Sequence, residues 1–162
     1  NDMVPIGNPT TPEIVYGFGP SFHYKGFDFS FFFQGVAKTS LFMSGLQPFG
    51  TMMENKNVQK FIADDRWSPE NQNIFAEYPR LTIERSANNS TTSTYWERNG
   101  AFLKLKNAEI GYTFKSMRLY LRGSNLLTFS KFKLWDPEQG GGNGLKYPTQ
   151  RVFNIGFQMT IK

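Results

Sequence analysis

The sequence contains no cysteine and only one histidine, His23. Without cysteine the chain can form no disulfide and can perform no thiol chemistry, which is compatible with an oxidising periplasmic setting. A single histidine cannot build a histidine metal cluster, and a Ser-His-Asp triad finds no support around it. These absences give no ground for an enzyme, a metal site or a cofactor site, and we expect His23 to have a structural role.

The sequence also lacks long apolar runs and basic runs. No apolar run approaches the roughly 20 residues that a membrane-spanning helix needs, and the mean hydropathy is −0.46. A helical membrane protein is therefore excluded. Lysine and arginine exceed acidic residues, which gives a net charge of +5, but they are scattered along the chain. The sequence therefore argues against nucleic-acid binding.

Aromatic residues are abundant by comparison. They make up 17% of the chain, with 17 Phe and 7 Tyr, while all hydrophobic residues together reach only 39%. Soluble cores depend mainly on Leu, Ile and Val. Membrane β-barrels instead carry aromatic girdles and bulky residues at every second position. The composition is typical of such a barrel.

The last twelve residues, 151–162, alternate between apolar and polar residues almost without interruption. Successive side chains of a strand point to opposite faces, so one face is apolar and the other is polar. The apolar positions are Phe153, Ile155, Phe157, Met159 and Ile161. This pattern also fits the terminal signal recognised by the outer-membrane barrel-assembly machinery. The matching positions are Asn154, Gly156, Met159 and Ile161.

Further strands are predicted by the same alternation. One spans roughly residues 13–25, a Lys25-Gly26 turn follows, and the next strand begins at Phe27. A third carries Ala108, Ile110, Tyr112 and Phe114 on one face, and a Lys115-Ser116 turn joins it to a fourth with Leu119 and Leu121. We predict that Phe27, Phe29, Phe31 and Phe33 face lipid, together with the apolar residues of the last strand. We expect Asp28, Gln34, Asn154, Gln158 and Thr160 to face the lumen.

The connections between these strands are very unequal in length. Residues 39–100 and 130–149 form long polar segments, whereas the two turns are tight. Bacterial barrels have short periplasmic turns and long extracellular loops. We therefore predict that 39–100 and 130–149 are extracellular loops.

About five strands cannot close a membrane barrel, because the smallest use eight and open edges are costly in hydrocarbon. The predicted fold is therefore all-β, and residues 1–162 form the C-terminal part of a larger antiparallel transmembrane β-barrel. The sequence begins at Asn1 without a signal segment, which for an exported protein indicates a mature or truncated product.

Several motifs, in order along the chain, resemble the C-terminal end of the SusC/RagA-type TonB-dependent outer-membrane transporters of the Bacteroidetes. The strongest is Phe102-Leu103-Lys104-Leu105-Lys106-Asn107, with Ile110-Gly111-Tyr112 after it. Further matches are Ile6-Gly7-Asn8-Pro9, Phe31-Phe32-Phe33-Gln34-Gly35, Arg66-Trp67-Ser68-Pro69-Glu70-Asn71, Tyr78-Pro79-Arg80-Leu81, Asn125-Leu126-Leu127-Thr128, Trp135-Asp136-Pro137-Glu138 and Tyr147-Pro148. The chain departs from the family in ending at Lys162 rather than at an aromatic residue.

This resemblance implies a parent protein in the bacterial outer membrane that imports glycans or peptides. Its barrel would have about 22 strands closed by a plug. The implied partners are the rest of that barrel and its plug, a SusD-like surface lipoprotein, the TonB complex through an N-terminal part, and membrane lipid. The resemblance does not distinguish a glycan from a peptide substrate.

The long loops are where substrate or lid contacts would arise, because loops on a rigid scaffold carry recognition. Candidate contact residues are Tyr78, Tyr95, Trp96 and Trp135. Packing between loops or a place in the interfacial belt is the alternative for each of them. Val58, Phe61, Ile62 and Trp67 have helical spacing and predict a short amphipathic helix in the first loop.

A soluble β-sandwich that binds carbohydrate is the alternative reading of the whole chain. It predicts that one face of each strand is buried in a core and that the chain folds alone in water. Asp64, Asp65 and Glu70 lack EF-hand spacing, and Gly140–Gly144 lacks the lysine and the helix of a phosphate loop. We expect both segments to be solvated surface loops.

Overall fold

The chain was analysed as a computed structural model, which describes residues 3–43, 58–82 and 87–161. Parts of the predicted loop 39–100, namely residues 44–57 and 83–86, lie outside the described residues. Among the described residues no helix has the length and apolar character required to cross a membrane. The same part of the chain holds no group of three or more His, Cys, Asp or Glu residues suited to a metal ion.

Most strands belong to one antiparallel sheet, made of β1 (Ile14–Phe18), β2 (Ser21–Tyr24), β3 (Phe27–Ala37), β6 (Phe102–Phe114), β7 (Met117–Ser130) and β8 (Val152–Met159). Their order in the sheet is β1-β3-β6-β7-β8, and β2 also pairs with β3. A second sheet pairs β4 (Ser40–Phe42) with β5 (Glu97–Asn99). All the strands predicted from alternation are present.

The strand predicted for residues 13–25 is divided at Gly19-Pro20 into β1 and β2. Phe18 lies opposite Phe33 and Ser21 opposite Ser30, so the register against β3 continues across the break. Proline has no backbone N–H and cannot donate to the ladder, although its carbonyl still accepts from Phe31 N at 3.4 Å. The prediction of a single strand was wrong at this point.

The two tight turns lie at the same end of the sheet. Lys25 and Gly26 both have positive φ, 45° and 85°, as a two-residue type I′ hairpin requires. Lys115, with φ 53°, starts the other turn. Both long connections, 38–101 and 131–151, leave from the opposite end.

The in-register strands divide the main sheet into an apolar face and a polar face. Each apolar row runs across four strands, for example Phe29, Ile110, Leu121 and Ile155. The rows on either side of it are Phe27, Tyr112, Leu119 and Phe157, and Phe31, Ala108, Gly123 and Phe153. The predicted grouping of Phe27, Phe29, Phe31 and Phe33 with the apolar residues of β8 is confirmed.

A β-bulge at Lys106 reverses the facing of β6 partway along its length. Phe32 pairs with Asn107 but Phe33 pairs with Leu105, so Lys106 is an extra residue relative to β3. The ladder to β7 shifts at the same place, between Leu105 and Asn107. Because a one-residue shift exchanges faces, Lys104 lies on the polar face opposite Gln34.

Although Val36 and Phe102 of the main sheet are buried, the main buried cluster lies in the long connections. Its members are Leu41, Met43, Ile62, Tyr78, Trp96 and Phe132, with Val58, Leu81 and Trp135 packed against them. The short helix α1 (Lys60–Asp64) supplies Ile62, which is 1% exposed. A short helix is therefore present in the first loop as predicted, but Val58 and Trp67 lie outside it and Phe61 is 45% exposed, so Ile62 is the residue of the predicted apolar set that the helix buries.

Candidate functional site

The apolar face of the main sheet is open in this chain. Phe29 is 42% exposed and Ile155 is 80% exposed, whereas Phe31 and Phe33 are half-buried by their neighbours. Neighbouring rings contact one another, with centroids of Phe31 and Phe33 5.7 Å apart. Soluble monomers rarely leave so many neighbouring apolar side chains of several strands open to water. This face is suited to contact with hydrocarbon.

The polar face carries an ion-pair network near the tight turns. Arg118 Nε lies 3.0 Å from Asp28 Oδ2, and Arg118 Nη2 lies 2.6 Å from Glu109 Oε1. The guanidinium carbon of Arg118 also lies 4.9 Å from the centre of the Tyr120 ring. The three charged side chains are between 18% and 24% exposed. This face can meet water or polar solutes but cannot face lipid without a large cost.

Gly111 makes this network geometrically possible. It lies on β6 between Asp28 of β3 and Tyr120 of β7. A Cβ at this position would lie 2.6 Å from Arg118 Nη2 and 2.6 Å from Asp28 Oδ2. The missing side chain therefore leaves the space in which the arginine crosses β6.

The residues of the predicted assembly signal lie on β8 and just beyond it. Met159 and Ile161 are 56% and 85% exposed and belong to the apolar alternation. Asn154 pairs with Arg122 and Gly156 with Tyr120 on the polar face. A Cβ at Gly156 would overlap the Tyr120 ring. Gly156 thus has a packing role, which is separate from any role as an assembly signal.

At the other end of the polar face, Lys104 ties the second long connection to the sheet. Its side chain is 1% exposed, and Nζ lies 2.5 Å from Asp136 Oδ2 and 2.7 Å from Glu138 Oε2. Lys106 Nζ lies 2.5 Å from Glu138 Oε1. Burial raises the pKa of each carboxyl, but the hydrogen bonds from Lys104, with those from Glu138 N to Asp136 and from Lys106 to Glu138, keep both pKa values below the ordinary ones.

The glycine-rich segment follows this anchor and is wrapped around Trp135. Trp135 Nε1 donates to Gly140 O at 2.9 Å. Gly144 has φ 70°, and a Cβ there would lie 2.7 Å from Trp135 Cε3. The ring of Trp135 also packs edge-on against Phe132, with centroids 4.6 Å apart. This segment is a turn that packs around an indole.

The four aromatic residues predicted to contact substrate or lid do not share one environment. Tyr78 and Trp96 are buried in the loop core, at 6% and 8% exposed. Trp135 packs against the same core and is half-buried. Tyr95 is 39% exposed. The packing alternative thus describes Tyr78 and Trp96, because their rings fill the space between the two long connections, and Tyr95 keeps an accessible ring.

Tyr95 is fixed by several contacts. Its hydroxyl donates to Glu77 O, and its ring meets that of Trp96 edge-on at 4.8 Å. Burial, and secondly the charge of Glu77, raise the pKa of Tyr95 to about 12. Arg98 Nη2 lies 2.5 Å from Glu77 Oε1 and completes the cluster. The Tyr95 hydroxyl is therefore neutral and held in place at physiological pH.

The remaining candidate residues form no site in the described part of the chain. His23 is exposed and pairs with Asp28 in the strand register. Asp64 forms an exposed ion pair with Lys60 at 2.5 Å. In Glu70, hydrogen bonds from its own backbone N–H and from the Ser68 hydroxyl lower the pKa of the carboxyl. These positions have the character of solvated surface residues.

Three comparisons relate the chain to known proteins. No protein-family model matches it. TonB-dependent receptor P26 of Formosa agariphila is 30% identical over 99% of this chain and 18% of the receptor. TonB-dependent receptor P3 of the same organism is 31% identical over 95% and 17%. TonB-dependent receptor SusC of Bacteroides thetaiotaomicron is 24% identical over 91% and 15%.

Solved structures give the same result for the fold. The structure of the RagAB peptide transporter matches with a TM-score of 0.75 and 24% identity, over 95% of this chain and 18% of that chain. The RagAB peptide importer in the closed-closed state matches with a TM-score of 0.71 and 25% identity, over 95% and 18%. The chain spans less than one fifth of the length of these relatives.

An antiparallel sheet with an open apolar face, an ion-paired polar face and both long connections at one end is a segment of a transmembrane β-barrel. The chain belongs to the TonB-dependent receptors of the SusC/RagA type, as part of their barrel. The relatives are receptors and transporters rather than enzymes. The alternative of a soluble carbohydrate-binding β-sandwich receives no support from them.

Proposed function

We propose that this chain forms part of the barrel wall of an outer-membrane transporter that imports glycans or peptides. The observation that carries the proposal is the division of the sheet into two faces by register alone. Phe29, Ile110 and Ile155 lie in one apolar row, while Asp28 and Arg118 pair on the opposite face. A wall between lipid and an aqueous lumen needs this division.

The orientation follows from the connections. In the proposed transporter the turns at Lys25-Gly26 and Lys115-Ser116 lie on the periplasmic side, and the loops 39–100 and 130–149 are extracellular. Residues 1–162 form the C-terminal part of the barrel. Asn154, Gly156, Met159 and Ile161 serve as the barrel-assembly signal on its last strand.

The rest of the transport machinery comes from other polypeptide. Further strands of the same barrel pair with the edges at β1 and β8, because unpaired backbone groups cost several kcal/mol each in hydrocarbon. A plug closes the lumen, and the TonB complex supplies energy through the N-terminal part. A SusD-like lipoprotein covers the extracellular loops. Import moves the solute without breaking its bonds, so no catalytic group, metal or cofactor is required of this chain.

Within this scheme the polar face has a passive but specific role. The Arg118 network keeps three charges paired with one another, which makes the lower lumen wall hydrophilic and rigid. The Lys104 network holds the second loop against the upper lumen wall. Tyr95 is the aromatic residue of the predicted set that remains accessible to a solute, and it is our candidate for substrate contact.

Cell fractionation and uptake of the full-length transporter test this proposal. We expect the protein in the outer-membrane fraction, soluble only after detergent extraction, and we expect its deletion to abolish growth on one class of oligosaccharide or peptide. Growth should return with the wild-type gene but not with a copy lacking β8. Recovery of the protein as a stable monomer in detergent-free buffer would contradict the proposal.

A further inference from the structure

A cavity of about 300 Å³ lies beside Tyr95 in the first long connection. The residues that line it include Asn88, Asn89, Thr91, Ser93 and Tyr95. Small-molecule sites span about 300–1,000 Å³ and combine aromatic surface with a few placed polar groups. The cavity is at the lower end of that range, and it is large enough for a small ligand unit.

The walls of this cavity are held in position by contacts already present. The Tyr95 ring is fixed by its hydroxyl bond to Glu77 O and by the edge contact with Trp96. Trp96 Nε1 donates to Asn89 O at 2.8 Å, which ties helix α2 (Ala87–Ser90) to the same aromatic pair. Thr91 Oγ1 donates to Ala87 O at 2.9 Å and so presents its lone pairs as acceptors. A ligand would meet a preorganised wall rather than a mobile one.

The charge of the lining distinguishes the ligand class. Among the described residues that line this cavity, none is charged. A neighbouring cavity of about 260 Å³ is lined by Glu77, Arg98, Lys131 and Lys133 instead. A peptide carries charged termini, and a buried charge needs an opposite partner. The described lining of the cavity beside Tyr95 offers no such partner.

We propose that the cavity beside Tyr95 binds one neutral sugar unit of an oligosaccharide substrate. A pyranose ring has an apolar C–H face that suits the face of the tyrosine ring, and its hydroxyls both donate and accept hydrogen bonds. The amide of Asn88 can both donate and accept, and the hydroxyl of Thr91, whose hydrogen is bonded to Ala87 O, can accept. This inference rests on the proposed import function and names glycan rather than peptide as the substrate class.

The test is calorimetric titration of the full-length transporter in detergent with separate neutral probes: gluco-, xylo-, manno- and galacto-oligosaccharides. We expect at least one probe to bind. Tyr95→Ala should weaken that binding at least about tenfold, and Tyr95→Phe, which keeps the ring, should stay within about threefold. Asn88→Ala should weaken binding in the same direction, which covers the case that Tyr95→Ala misfolds. Lys133→Ala, in the neighbouring cavity, is the matched control and should change nothing.

Three results would overturn the inference: no probe binds, binding is unchanged in both Tyr95→Ala and Asn88→Ala, or a pool of random peptides binds in a Tyr95-dependent manner instead. In each case a transporter that still resides in the outer membrane and supports growth leaves the proposed import function intact. Loss of outer-membrane residence would contradict that function instead, so the two failures are distinguishable.

Discussion

Arg118 on β7 pairs with Asp28 on β3 across the full width of β6, which lies between the two strands. The pairing is possible because the intervening position on β6 is Gly111. A long cation thus reaches a short anion over a strand that has no side chain at the crossing. The charges are paired along the wall instead of projecting into the lumen.

Gly111→Ala should therefore separate Arg118 from Asp28. The added Cβ occupies the crossing, and both charged groups end in flexible side chains that can move away. We expect a loss of about 1–2 kcal/mol of barrel stability, typical of hydrogen bonds to charged groups in a partly hydrated site. Chemical unfolding of the full-length barrel in detergent measures it.

A double-mutant cycle provides the control. In a wild-type background, Asp28→Asn and Arg118→Gln should each destabilise the barrel, with a coupling energy between them. In the Gly111→Ala background that coupling should vanish. An undiminished coupling there would show that the arginine does not cross at Gly111.

The two faces of β3 should respond oppositely to a charge. Phe31→Arg places a guanidinium on the apolar face and should cost about 2–4 kcal/mol if the position is near the membrane midplane. Its neighbour Ser30 lies on the polar face, so Ser30→Arg is the matched control and should fold normally. The fraction of heat-resistant folded barrel on electrophoresis measures both. Equal tolerance of the two variants would contradict the assignment of faces.

Lys104→Met should release the second long connection from the sheet. The change leaves Asp136 and Glu138 without their shared cation, and we expect a cost of about 1–3 kcal/mol, seen as faster proteolysis within residues 131–151. Lys60→Met removes an exposed ion pair in the first connection and should leave the rate unchanged. An equal rate in Lys104→Met and wild type would show that the network is not the anchor.

The ion pairs of Lys104 with Asp136 and Glu138 make the anchoring of the second long connection dependent on pH. In the folded state the pKa values of Asp136 and Glu138 lie below 3.8 and 4.5, the ordinary values. At a pH between its folded and its ordinary pKa, each carboxyl binds more protons in the released loop than in the anchored loop. The anchor is therefore fully present above about pH 5, and it weakens as the pH falls through the folded pKa values. Proteolysis of the wild-type loop by an acid-active protease should therefore accelerate as the pH falls below about 5. Lys104→Met should flatten the profile.

Gly156 belongs both to the predicted assembly signal and to a packing contact with Tyr120, and one variant pair separates the two roles. Gly156→Ala should impair folding, since its Cβ meets the Tyr120 ring. If packing is the reason, Tyr120→Ala in the same chain restores the yield of folded barrel. If recognition by the assembly machinery is the reason, the double variant stays defective in cells. In either case Met159→Asp and Ile161→Asp should reduce assembly, because they change the proposed signal directly.

Alternation in the sequence predicted the strands and the faces of β3 and β8, because one buried or lipid-covered face imposes a period of two. It could not predict the bulge at Lys106. The change of facing at an inserted residue can be recognised only when the pairing of the neighbouring strands is known. The burial of Lys104 could therefore not be predicted. The sequence shows the motif Trp135-Asp136-Pro137-Glu138. It does not show the ion pairs of Asp136 and Glu138, because these depend on the same bulge.

The aromatic candidates illustrate a second limit. Nothing local in the sequence separates Trp96, which is buried, from Tyr95, which is accessible beside it. Their difference arises from packing between two connections far apart in the chain. The apolar spacing around Ile62 did predict a short helix, because that signal is local, but it did not predict its bounds or the exposure of Phe61.

The central claim is that Ile155 and its row face lipid while Asn154 and its row face water. The chain has no cysteine of its own, so single cysteines at 153, 154, 155, 157 and 158 can each carry a spin label in the full-length transporter, reconstituted in lipid without other cysteines. We predict high collision rates with oxygen at 153, 155 and 157, and high rates with a water-soluble nickel chelate at 154 and 158. A profile without this alternation, or one in which the nickel chelate reaches 153, 155 and 157, would contradict the account.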